Sequence, residues 1–181
     1  MSFSLRPYQS AAIQGIYNYF QDESGNPLVV IPTAGGKSLV MATFVEGVLK
    51  AFPDQRILIV THVRELIEQN FAELKKLWPQ APAGIYSAGL KKREIRAQIL
   101  FAGIQSIHRR LAEVGHCDLV LIEGYKREPH LKIEVRASFE AEPLAPGDPA
   151  IVAIASDVRP FALASRKRPS KTSATITAAA S

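Results

Sequence analysis

The stretch LVVIPTAGGKSLVMATF, residues 28–44, constrains the fold more than any other part of the chain. A strand-length apolar run leads into a turn of small residues, then into Gly35-Gly36-Lys37-Ser38, and then into apolar residues at helical spacing. A strand, a small-residue loop and a helix in that order form the context in which such a loop holds phosphate. Ala34, Gly35 and Gly36 let backbone N–H groups curl around phosphate oxygens. Lys37 adds a charge, Ser38 offers a hydroxyl to magnesium, and the helix N-terminus contributes its dipole. The general G-x-x-x-x-G-K-[ST] pattern fails only at its first position, where Ile31 stands.

The rest of the chain repeats the alternation of strand and helix. Pro7 opens a predicted helix over residues 7–20, with Ala11, Ala12, Ile16, Tyr19 and Phe20 at helical spacing. Strands are predicted at 28–31 and 57–61, a helix over 37–50, and a third helix with Leu66, Ile67, Phe71, Leu74, Leu77 and Trp78 on one face until Pro79 stops it. Shorter apolar segments follow at 83–86, 99–102 and 119–122. Strands alternating with helices predict an α/β fold, a three-layer P-loop NTPase (RecA-like) domain with a mainly parallel sheet. At 181 residues and 47% hydrophobic, the chain has room for one such core and not for two large domains.

Composition narrows the function classes further. No apolar run is long enough to span a bilayer, and the start lacks a basic segment leading into an apolar one, so a cytoplasmic protein is expected. The single cysteine, Cys117, excludes an internal disulfide framework and reads as a small buried side chain. His108, His116 and His130 show no metal-ligand spacing and read as surface or loop residues. The formal charge of +5 is concentrated late, in Arg166, Lys167, Arg168 and Lys171, within a Ser-, Thr- and Ala-rich tail over 161–181 that is expected to be disordered. The run KKREIR, residues 91–96, reads either as a solvated charged face or as a nucleic-acid patch.

PTAGGKS resembles the phosphate loop of superfamily 2 helicases, in which an apolar residue commonly precedes the Pro-Thr pair. That resemblance adds Thr33 to the loop residues Ala34, Gly35, Gly36, Lys37 and Ser38. LRPYQ, residues 5–9, resembles the segment upstream of that loop, which makes Gln9 an adenine contact. ILIVTHVRELIEQN, 57–70, and FAGIQSI, 101–107, resemble the next two helicase motifs, which lie against the nucleic-acid backbone and so imply Thr61, His62, Arg64, Gln105 and Ser106 as contacts. The likeness is to RadD-like DNA-repair helicases, covers about residues 5–122, and implies Mg2+ with ATP as cofactor and DNA as partner.

The helicase pattern changes after DLVLI, residues 118–122, where Asp-Glu-Ala-His or a close variant is expected and Glu123-Gly124-Tyr125-Lys126 stands. One carboxylate is a poor candidate both to assist a metal and to polarise water, so weak or absent hydrolysis is expected. From there DLVLIEGYKREPHLKIEV and AIVAIASD, over about 118–157, resemble the C-terminal half of MobB, the GTP-binding accessory protein of molybdopterin-guanine dinucleotide synthesis. That resemblance implies that Glu123 closes a strand beside the phosphate-bound magnesium, giving Ser38 and Glu123 as metal ligands and Lys37 and Glu123 as catalytic residues.

The expected organisation is therefore a helicase-type ATP-binding region over 1–122, a MobB-like segment completing the sheet over 123–160, and the basic tail. No second motor domain is read after Glu123, so unwinding by this chain alone is not expected. The alternatives are a GTP-binding adaptor that docks on a molybdenum-cofactor nucleotidyltransferase, and a non-functional hybrid whose halves do not pack together.

Overall fold

The computed structural model describes residues 4–22, 27–31, 34–124, 131–136, 151–156 and 175–178. Contacts divide the chain into two units, residues 1–40 with 125–181, and residues 41–124.

In the first unit, α1 (Pro7–Asp22) begins at a proline, whose fixed φ suits a first helical turn and whose missing N–H is no loss there. It buries Tyr8, Ala12, Ile16 and Tyr19 at i, i+4, i+8 and i+11. That stripe belongs to a helix packed on a small parallel sheet ordered β1-β7-β8, made of β1 (Pro27–Val30), β7 (Leu131–Arg136) and β8 (Ile151–Ser156). β1 pairs β7 from Pro27↔Leu131 to Val30↔Glu134. Within the tail expected to be disordered, Thr175–Ala178 forms β9, a short strand whose Thr-Ile-Thr alternation suits extended backbone. Residues 157–174, with the basic cluster from Arg166 to Lys171, lie outside the described residues, as does His130.

The second unit continues α2 (Lys37–Ala51) and holds a sheet ordered β4-β3-β5-β2-β6. Its strands are β2 (Ile57–Thr61), β3 (Ala83–Ser87), β4 (Lys92–Arg93), β5 (Ile99–Gly103) and β6 (Leu119–Glu123). All pairings are parallel except β3 with β4, a hairpin whose turn puts Lys91 at φ 54°. β2 is buried at every position, as expected of a strand covered on both faces.

Leu58 and Val60, with Leu100, Ala102 and Tyr86, gather on one face with Ile107 of α4 (Ile104–Ile107) and Val114 of α5 (Leu111–Val114). Residues one step out of phase project the other way. There the Phe101 ring meets Phe71 of α3 (Arg64–Leu77) edge-on at 5.7 Å. Helices therefore cover both faces, which is the three-layer arrangement. Each fully buried Ile or Leu in such a core contributes about 1.5–3 kcal/mol.

Two details connect this core to its edges. α3 presents Ile67, Asn70 and Leu74 inward, with Leu66, Phe71, Leu77 and Trp78 half-buried, and Pro79 follows its last turn. At the opposite edge of the sheet Arg56 ties loops together: its guanidinium donates to the carbonyls of Ile95 (2.6 Å), Ala97 (3.4 Å), Val114 and His116 (3.3 Å), and its own N–H donates to Asp118 Oδ2 at 2.8 Å. Among the described residues no helix is long and apolar enough to cross a membrane.

Candidate functional site

The phosphate loop turns because two of its residues adopt left-handed backbone. Ala34 has φ 61° and Gly36 φ 74°. The alanine bears about 1–2 kcal/mol of strain there, while the glycine bears none. Gly36 also leaves no room for a side chain, since a Cβ on it would collide with Gln9 Nε2. Its carbonyl accepts from the N–H groups of Leu39 and Val40, both at 3.1 Å, and so starts α2. Lys37 Nζ donates to the Ile31 carbonyl at 3.3 Å, folding the ammonium back across the loop. Ser38 is half-buried in the first turn of α2, and Thr33 lies outside the described residues.

α1 holds this loop from below. Gln9, 4% exposed, donates from Nε2 to Gly35 O at 3.0 Å and accepts from Arg6 N at 2.9 Å. Tyr8 Oη donates to the same Gly35 carbonyl at 3.0 Å. The sequence reading brought out Gln9 and missed Tyr8, although its place beside Gln9, at the start of a buried helical stripe, was a usable signal.

The second cluster lies where β2, β5 and β6 end together. Thr61 is paired with Gly103 on one side and Glu123 on the other, so the three strands reach one edge in register. This is the carboxyl edge of a parallel sheet, where such folds place ligands. Thr61 is buried and its Oγ1 accepts from Val63 N at 3.3 Å. Exposed Gln105 donates to the His62 carbonyl at 3.3 Å, and Ser106 Oγ accepts from Ala88 N at 2.9 Å. Exposed Arg64 runs its stem past Gly89. The edge thus brings Thr61, His62 and Gln105 together, with Ser106 beside the β3 end.

Glu123 is 5% exposed, and its Oε2 accepts a 2.6 Å hydrogen bond from Asn70 Nδ2 on α3. Asn70 is itself 1% exposed, and its Oδ1 has no partner among the described residues. Leaving such an atom unpaired costs about 1–3 kcal/mol. Asn70 was not legible as a partner, because only its helical register with Ile67 and Leu74 places it inward. Gly124 follows at φ 103°, and a Cβ there would come 2.7 Å from His62 Cε1.

Burial pushes the half-buried Cys117 thiol up, which leaves it protonated and unreactive at neutral pH. Among the described residues no group of three or more His, Cys, Asp or Glu side chains could hold a metal ion.

The family model described as "Type III restriction enzyme, res subunit" matches residues 2–134, a stretch that includes the phosphate loop, the carboxyl edge and Glu123. The protein named "Putative ATP-dependent helicase IRC3" of Saccharomyces cerevisiae is 26% identical over 126 residues, covering 66% of this chain and 18% of that protein. The crystal structure of the UvsW helicase from bacteriophage T4 superposes with a TM-score of 0.54 at 18% identity, over 70% of this chain and 45% of the other. The chain therefore spans less than half the length of both relatives, and its fold is like that of the UvsW structure. With its family match running over most of its length, the chain belongs to the type III restriction enzyme, res subunit, family as a helicase-like ATP-binding P-loop domain.

Proposed function

We propose that this domain binds ATP with magnesium at the 34–38 loop and hydrolyses it weakly or not at all. The observation that carries the reading is the loop itself, a left-handed turn at Ala34 and Gly36 that starts α2 and is pinned by Gln9 and Tyr8. In this reading Thr33, Ala34, Gly35 and Gly36 present N–H groups to the phosphates, and Lys37 leaves the Ile31 carbonyl to meet them. Ser38 gives its hydroxyl to magnesium. Gln9 recognises adenine, and its bond to Gly35 links base recognition to loop shape. The magnesium supplies charge neutralisation when bound with nucleotide.

Glu123 is the carboxylate assigned to metal or water in this proposal. Gly124 stands where the helicase resemblance calls for a second carboxylate, and with one group for two tasks the turnover is low. Thr61, His62, Arg64, Gln105 and Ser106 are assigned to a DNA backbone. The reading is tested by equilibrium binding of labelled ATP and GTP with magnesium to wild type, Lys37→Ala and Gln9→Ala. ATP binding lost in both variants supports it; ATP binding indifferent to Lys37 overturns it.

One observation favours the second reading, a GTP-binding adaptor that docks on a nucleotidyltransferase. The segments that resemble MobB include two parallel strands, β7 and β8, that extend the sheet beside β1. GTP preferred over ATP, indifferent to Gln9→Ala, is the outcome that selects this alternative.

A further inference from the structure

The packing of the second unit does not explain why residue 70 is an asparagine. It sits on the inward stripe of α3 between Ile67 and Leu74, which are 2% and 1% exposed. That register calls for an apolar side chain, and Asn is among the weaker helix formers. Burying an amide is unfavourable unless its donor and acceptor are both met, and here only one is. Nδ2 donates to Glu123 Oε2 at 2.6 Å, while Oδ1 has no partner among the described residues. A leucine of the same branched shape would fill the place without that cost.

The bond to Glu123 supplies the reason. Glu123 ends β6 opposite Thr61 of β2, so its backbone is fixed by the sheet, and Asn70 is fixed by the buried face of α3. A glutamate side chain has several rotatable torsions, and a bond from a second rigid element to its terminal oxygen restricts them together. An amide N–H only donates, so Oε2 is held as an accepting, unprotonated oxygen, the state that a metal ion or its bound water requires.

The unpartnered oxygen points to a ligand of the same kind. The nitrogen and oxygen of an amide lie within about 2.5 Å of each other, so Asn70 Oδ1 is within about 5 Å of Glu123 Oε2. One water molecule, about 2.8 Å from each, reaches two acceptors that far apart. A buried acceptor lacking a donor, beside a buried carboxylate, fits a hydrated magnesium ion, which keeps several of its waters and so supplies the donor.

We propose that Asn70 is the positioning residue for Glu123, holding its carboxylate in one accepting orientation for a hydrated magnesium ion. The proposal rests on the assignment of Glu123 to metal or water made above. Nδ2 sets the direction of the carboxylate, and Oδ1 accepts from a water of the ion. Asn70 acts through these two partners and not on the nucleotide.

Two measurements on the full chain test it, each on wild type, Asn70→Leu, Asn70→Ala, Glu123→Met and the Asn70→Leu/Glu123→Met pair. Urea denaturation without nucleotide or metal reads the bond itself. The effects of the two single variants on the unfolding equilibrium constant should fail to combine in the pair by about tenfold, because the two side chains share one interaction. The magnesium concentration at which half of a labelled ATP is bound reads the positioning. Asn70→Leu should raise it about tenfold, as expected when the hydrogen-bond partner of a metal-side carboxylate is removed. Asn70→Ala, which cannot overpack the site, should do the same. Glu123→Met should raise it at least as far, the pair should be no worse than Glu123→Met, and ATP binding without magnesium should be unchanged in every variant. If wild type shows no magnesium-dependent ATP binding, or Glu123→Met keeps the wild-type magnesium requirement, the assignment of Glu123 fails and this proposal with it. If Glu123→Met shifts the requirement while both Asn70 variants keep it, or if the effects in urea are additive, the positioning role alone is overturned.

Discussion

Gly124→Ala isolates the feature that sets this chain apart from the helicase pattern. Gly124 stands in the place of the expected second carboxylate, and its backbone is at φ 103°, where an L side chain is strained whatever space surrounds it. That strain costs about 1–3 kcal/mol. The new Cβ would also lie 2.7 Å from His62 Cε1 and 3.0 Å from Nδ1, so the ring must move. Because His62 is exposed, the movement costs a fraction of the backbone penalty. The total is about 2 kcal/mol, or a fall in melting temperature of about 4–8 °C for a chain of this size. Urea denaturation of Gly124→Ala, His62→Ala and the double variant separates the two parts. The double variant recovers the steric share and keeps the backbone share. The same geometry predicts that Gly124→Glu, which restores a carboxylate, suffers the same loss of stability and gains no ATP turnover. If Gly124→Ala is neutral or stabilising, as alanine is where the backbone is ordinary, the reasoning fails.

Gly36→Ala brings a Cβ onto Gln9 Nε2 at φ 74°, and is expected to weaken ATP binding at least tenfold, seen by equilibrium titration, with a stability loss of about 1–2 kcal/mol. Arg56→Ala frees four loop carbonyls from one guanidinium and is expected to cost about 3 kcal/mol in urea denaturation, with little change in nucleotide affinity. Asp118 is held below the usual carboxylate range, first by its bond from Arg56 N and then by His116. A depressed carboxylate stabilises the fold above its unfolded pKa of about 3.9, and that contribution is lost as pH falls through the lower folded value. The stability advantage of wild type over Asp118→Asn should hold from pH 7 to about 4 and shrink below that.

Much of the fold was legible because it depends on local pattern. β2 was predicted over the residues it occupies, the first two helices within two residues at each end, and the third by its apolar face and its stop before Pro79, since a continuous apolar run and a 3.6-residue period are readable without tertiary context. The phosphate loop was legible because small residues, a lysine and a helix start must be contiguous. Asn70 was not, because its role comes from β6 ending opposite α3, a pairing with residues 53 positions away. Nor was the cleft that Lys92 and Arg93 share with Arg109 and Arg110, since a mixed charge run such as KKREIR reads more readily as a solvated face and only the β3–β4 hairpin and α4 bring the two runs together. In the tail, basic and small residues outweighed the short Thr-Ile-Thr stretch that forms β9.

Isothermal titration of wild type and Lys37→Ala with ATP and magnesium tests the central claim most directly. The account predicts saturable binding of one ATP per chain in wild type and its loss in Lys37→Ala. Binding of equal strength in both proteins, or no binding of ATP by a wild type shown to be folded, would contradict it.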